Sequence, residues 1–140
     1  MKQFLLSLLC FVFINVNYGQ TIIEVKNDSD TNRVFTKVDV EAVFPGGEGK
    51  WRHFLKLSFN DLLAADNGAP KGTYVVIVKF LVSKDGSLSD IVCESDPGYG
   101  MCREAIRLIR LSRKWIPAKV NGRVVNAYHR QAFTFLPYNE

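Results

Sequence analysis

The reactive inventory of this 140-residue chain is short: His53 and His129, three cysteines, and the neighbouring acids Glu94 and Asp96. The two histidines are far apart, and neither sits in an H-E-x-x-H or paired C-x-x-C spacing that would hold a metal. They read as surface or rim side chains. A thiol nucleophile at Cys93 or Cys102, with His129 as its base, needs an accessible electropositive pocket and hydrogen-bond reach. Arg103 beside Cys102 would help, but a bond between the two cysteines would consume both thiols. Glu94 and Asp96 fall in a stretch whose evident task is to join a strand to a helix, and Asp85 belongs to a turn. Gly46-Gly47 is not a phosphate loop, because no strand precedes it and no Lys-Ser/Thr follows. No catalytic, metal or cofactor constellation emerges, and the expectation is a protein that is not an enzyme.

The elements around these residues are better marked. In "VFPGGEGKWRHFLKLSF" the glycines break the chain and Glu48 suits a helix start. Trp51, Phe54, Leu55 and Ser58 then recur at helical spacing, predicting a helix over residues 48–59. "AADNGAPKG" closes it with turn chemistry. Residues 75–82 are apolar nearly throughout, which predicts a strand covered on much of both faces. Asp85-Gly86 tolerates the positive φ of a tight hairpin, and residues 88–94 form the more polar return strand. "MCREAIRLIRLSRKW" reads as a second helix, with Cys102, Ala105, Ile106 and Ile109 on its inner face and Pro117 as its stop. After Asn121-Gly122 comes a last strand with Phe133 and Phe135 on one face.

Helix, strand, strand, helix, strand predicts an α+β domain. Its small antiparallel or mixed three-stranded sheet, in the order 2-1-3, has both helices packed on one face. The last strand is left as an open edge, with Arg123, His129 and Arg130 as its guards.

Composition and the first residues bound the class. Net charge is +4, spread without a dense basic block, so nucleic acid is not an expected partner. Residues 1–20, "MKQFLLSLLCFVFINVNYGQ", carry one Lys, an apolar run and Gly19 at a cleavage point, the layout of a secretory signal peptide. Cys10 is not a lipidation site by this reading, because bulky Leu9 precedes it and the apolar run continues. The expected organisation is a signal over 1–19, a flexible lead over 20–39 and a domain over 40–140. Cleavage leaves Cys93 and Cys102 as an even pair flanking a Pro- and Gly-containing loop. In an oxidising compartment they are expected to form a disulfide.

"VFPGGEGKW", "GTYVVIVKFLVSKDGSLSDI" and "GYGMCREAIRLIRLSRKWIPAKVNGRVVNAYHRQAFTF" together resemble the C-terminal domain of TonB proteins, particularly the Bacteroidetes-type branch. The resemblance spans roughly residues 40–136. It implies a periplasmic module that takes up the TonB box of a TonB-dependent outer-membrane transporter as an added strand, in service of energised transport. Carried over by position, the implied peptide-binding edge is Val124, Val125, Asn126, Ala127, Tyr128, His129, Arg130, Gln131 and Ala132. Phe44 and Pro45 match an aromatic-Pro element. Trp51, Trp115, Pro117 and Gly122 match positions read as structural.

Three departures shape the expectation, the Cys93–Cys102 pair being an extra feature. No clear anchor or Pro-rich arm accompanies the domain, and Ala132 stands where a Pro is often seen. The sequence therefore predicts a free periplasmic domain that binds without pulling. Competing readings are a full transducer retaining residues 4–16 as an inner-membrane anchor, a secreted thiol enzyme, and a homodimer formed through the same edge.

Overall fold

The structure, a computed structural model, describes residues 32–138. The expected signal peptide over 1–19 lies outside the described residues, as does most of the expected lead. In chain order the elements are β1 (Val34–Phe35), α1 (Gly47–Ser58), α2 (Leu63–Asp66), β2 (Tyr74–Val82), β3 (Leu88–Ser95), α3 (Met101–Leu111), β4 (Lys119–Val120), β5 (Arg123–Val124) and β6 (Asn126–Phe135).

The three long strands pair antiparallel in the order β3-β2-β6, the expected 2-1-3 arrangement of an α+β fold. A fourth strand joins them. β1 runs parallel to β6, with Val34 opposite Asn126 and Phe35 opposite Ala127. The segment read as a flexible lead thus contributes to the sheet and covers one end of the last strand.

β2 is buried on one face only, which corrects the expectation of cover on both sides. Val76, Val78, Phe80 and Val82 are fully enclosed, while Val75, Ile77, Lys79 and Leu81 alternate with them on a partly open face. The apolar run misleads because Val75, Ile77 and Leu81 are apolar yet lie outside the buried core. α1 and α3 both lie over the enclosed face. Trp51 of α1 meets Phe133 at 6.1 Å between ring centroids, and Phe59 meets Phe135 at 4.9 Å.

The hairpin loop is longer than a two-residue turn. Ser83 N–H donates to Ser87 O, and Gly86 N–H donates to Ser83 O. Gly86 has φ +82°, whereas Asp85 stays out of the left-handed region and instead accepts bonds from the Ser87 N–H and hydroxyl. This is the three-residue solution, a turn followed by one left-handed residue. Those hydrogen bonds hold the exposed Asp85 carboxyl below its usual pKa.

α3 ends at Leu111, four residues before Trp115, and its stop is Arg113 with φ +62° and not Pro117. Its inner face is also rotated from expectation. Met101, Glu104, Ala105, Leu108 and Ile109 are buried, while Cys102 and Ile106 lie at the margin. A carboxylate on the inner face is tolerable because it is fully engaged. Glu104 accepts both Arg107 nitrogens at 2.7 Å and the Asn60 N–H at 3.0 Å, and Arg107 in turn donates to Ser58 O. One ion pair therefore ties α3 to the end of α1.

Cys93 of β3 and Cys102 of α3 form a disulfide, with 6.1 Å between their Cα atoms. It staples the far margin of the sheet to the helix laid over it, and it leaves neither thiol for chemistry.

Candidate functional site: the border of the last strand

The run from Trp115 to Lys119 is extended, because the left-handed Arg113 turns the chain out of the helix. Ile116 exchanges both backbone hydrogen bonds with Val43, and Lys119 does the same with Val40. The chain then turns at Asn121-Gly122, both at positive φ, between β4 and β5. Gly122 takes φ +73° in that turn. Asp39 accepts the Asn121 N–H at 2.6 Å and fixes that turn to the incoming segment.

Trp115 is 4 % exposed and sits at the centre of an aromatic cluster. Its ring lies 5.1 Å from Phe80, 5.2 Å from His129 and 5.4 Å from Trp51. Phe44 closes the cluster, 5.3 Å from Trp51 and 6.2 Å from Trp115. Each such pair contributes about 0.5–1.5 kcal/mol beyond simple burial. Phe44 and Pro45 open a turn in which Gly47 N–H donates to Phe44 O and Gly46 takes φ +89°, the pattern of a Pro-Gly type II turn. That turn delivers Phe44 inward and starts α1.

β6 follows, and its side chains divide cleanly. Ala127, His129, Gln131 and Phe133 pair opposite the enclosed residues of β2, and Phe135 opposite half-buried Tyr74 on the same side, so all five share the helix-covered face. Asn126, Tyr128, Arg130, Ala132 and Thr134 share the other. On that second face Arg130 forms a bidentate bond to Glu94 at 2.7 and 2.9 Å, and Tyr128 donates to Asp90 at 3.2 Å. Lys79 lies 5.0 Å from the Tyr128 ring centre. The Arg130 bonds hold the Glu94 carboxyl below its ordinary pKa, and Asp90 raises that of the Tyr128 phenol. These ties reach over β2 to β3. Arg130 is therefore occupied on the sheet face and does not guard the border.

Which backbone groups face the border follows from alternation. Ile77 N–H donates to the Ser95 hydroxyl, and that hydroxyl donates to Val75 O, so these odd residues of β2 direct their backbone toward β3. The even residues then face β6. Their partners in β6 are Ala127, His129, Gln131, Phe133 and Phe135, which bond inward. Tyr128, Arg130, Ala132 and Thr134 consequently direct N–H and C=O outward. Consistent with this, the Gln131 side chain reaches around to donate to Ala132 O at 3.1 Å.

The expected edge of nine residues is therefore not uniform. Val124 lies in the small β4-β5 sheet, Val125 N–H donates to Ala118 O, and Asn126 and Ala127 are paired with β1. Four positions that the sequence placed on an open border are occupied by the chain itself. Among the described residues, no strand pairs with the outer side of β6 from residue 128 to 134. That stretch is about 20 Å long at an ordinary strand rise.

The border has a groove beside it. A cavity of about 200 Å³ opens on the helix-covered side, lined by Glu41, Phe44, Glu48, Trp51, His129 and Gln131 among others. His129 is no loose rim side chain: it is 17 % exposed, packs on Trp115, and stands 3.4 Å from the Glu41 carboxylate. His53, by contrast, is exposed on α1. Sequence reading missed Glu41 and Glu48 as lining residues, because they come together with β6 only through the pairing of residues 40–43 with 116–119.

Fold and border define a small α+β module in which, among the described residues, the outer side of β6 from residue 128 to 134 carries no paired strand and lies beside an aromatic cluster. The segment 72–136, which holds the three long strands and α3, matches the family of the Gram-negative bacterial TonB protein C-terminal. Domains of this family are protein-interaction modules of the cell envelope that work with TonB-dependent outer-membrane transporters. No match was found among curated proteins or solved structures. Among the described residues, no helix is long and apolar enough to cross a membrane.

Proposed function

We propose that this domain acts in the periplasm. There it binds a TonB box-like segment of a TonB-dependent outer-membrane transporter as a strand added to β6 between residues 128 and 134. The observation that carries this reading is the row of outward-directed backbone groups at Tyr128, Arg130, Ala132 and Thr134, with no strand paired to them among the described residues. A strand added there gains backbone hydrogen bonds while leaving its side chains largely free to vary. The pairing of β1 with Asn126 and Ala127 limits the length of the docked segment, unless β1 is displaced. The signal-like residues 1–19 support export to the compartment where such a segment is found.

The test is an amide-resolved titration of the domain, residues 20–140, with peptides from transporter N-terminal regions. Slowed hydrogen exchange and shifts at Tyr128, Arg130, Ala132 and Thr134 are expected. Changes restricted to α1 and α3 would sink the proposal.

A further inference from the structure

We infer that the groove beside β6 is a specificity pocket for a cationic side chain, arginine above all, carried by the docked peptide. This rests on the strand-addition reading. A strand continuing the sheet beyond β6 places every second side chain on the helix-covered face, next to His129 and Gln131. That is where the cavity opens. Its floor and wall are the aromatic rings of Trp51, Trp115 and Phe44, and its rim carries the carboxylates of Glu41 and Glu48. Aromatic surface with acidic groups suits a guanidinium, which stacks on rings and forks onto a carboxylate.

The charges at the rim are free to respond. Glu41 is 65 % exposed and, among the described residues, pairs with His129 at 3.4 Å, while Glu48 is 72 % exposed and meets Arg52 at 3.6 Å. Exposed pairs of this kind are weak and are readily exchanged for a better-placed cation. The start of α1 brings the positive end of a helix dipole to the same place, equivalent to about half a charge. Two carboxylates outweigh it, so an acidic or C-terminal carboxylate ligand fits less well. The nearby Arg130 does not compete, being held by Glu94 on the opposite face.

The experiment uses nine-residue extended peptides identical except at one central position, which is arginine, its neutral isostere citrulline, leucine or glutamate. Affinity is measured against the unaltered domain and the Glu41→Gln, Glu48→Gln and double variants, with the amide shifts of β6 followed alongside. The arginine peptide is expected to bind about tenfold tighter than the citrulline peptide. That advantage should shrink in each single variant and most in the double variant, leaving only the part that the aromatic rings give a cation. Equal affinity for arginine and citrulline, with β6 shifts intact, overturns the pocket and leaves strand addition standing. Absence of β6 shifts with every peptide overturns both.

Discussion

Gly86 and Trp115 meet backbone to backbone: the Trp115 N–H donates to the Gly86 carbonyl at 2.9 Å, and the Trp115 carbonyl oxygen fills the space where a Gly86 Cβ would stand. The tip of the β2-β3 hairpin and the run leading to the last strand are thereby locked together at a position only glycine fits. Gly86 also has φ +82°, so a side chain there meets both strain and overlap. Gly86→Ala is expected to destabilise the domain by more than about 2 kcal/mol. Denaturant unfolding monitored by tryptophan fluorescence checks this, since the Trp115 environment is the one disturbed.

The alternation along β6 makes a sharper prediction. Ala132 directs its N–H to the border and Gln131 directs its N–H to β2. Proline is tolerated on an edge strand where the lost N–H faces out, and not where it breaks a ladder bond. Ala132→Pro should therefore keep the far-ultraviolet spectrum and the melting midpoint close to the parent, while removing one donor from the docking border. Gln131→Pro should lose about 3 kcal/mol or more. If both variants melt alike, the assignment of outward groups is wrong.

Acid sensitivity should concentrate at Glu104. Burial alone would push this carboxyl up, but the Arg107 hydrogen bonds, the Asn60 N–H and the Arg107 charge outweigh burial and hold it below its usual value. A folded pKa lower than the unfolded one, about 4.3, gives a contribution that is full above that value. It is lost as pH falls through the folded pKa. Glu104→Gln should cost about 1–3 kcal/mol at pH 7, and its stability should fall less on acidification than that of the parent. Unfolding curves at pH 7 and at about pH 3.5 separate the two.

The disulfide closes a short loop with a sequence separation of 9. Its loss, by reduction or by Cys93→Ala with Cys102→Ala, should lower stability by about 2–3 kcal/mol. It lies at the β3 margin, across β2 from the border of β6, so peptide affinity should be preserved. A loss of binding without unfolding would show that the two margins are coupled.

Local signals in the sequence marked α1, the β2-β3 hairpin, most of α3 and β6. Helical spacing of Trp51, Phe54, Leu55 and Ser58 marked α1 within a residue, and turn residues around an apolar run marked the β2-β3 hairpin. The order of elements then gave the β3-β2-β6 sheet, because the return of the chain after a helix leaves few arrangements. These signals are local, or follow from connectivity. The remainder rests on contacts between residues distant in sequence. Residues 34–35 cover one end of β6, residues 40–43 pair with the Trp115 run, and Glu104 turns inward because Asn60 and Arg107 satisfy it. Backbone pairing with a two-residue strand is nearly blind to side-chain type, so no pattern in the chain announces it. How much of the border stays open is for the same reason settled only by the folded chain.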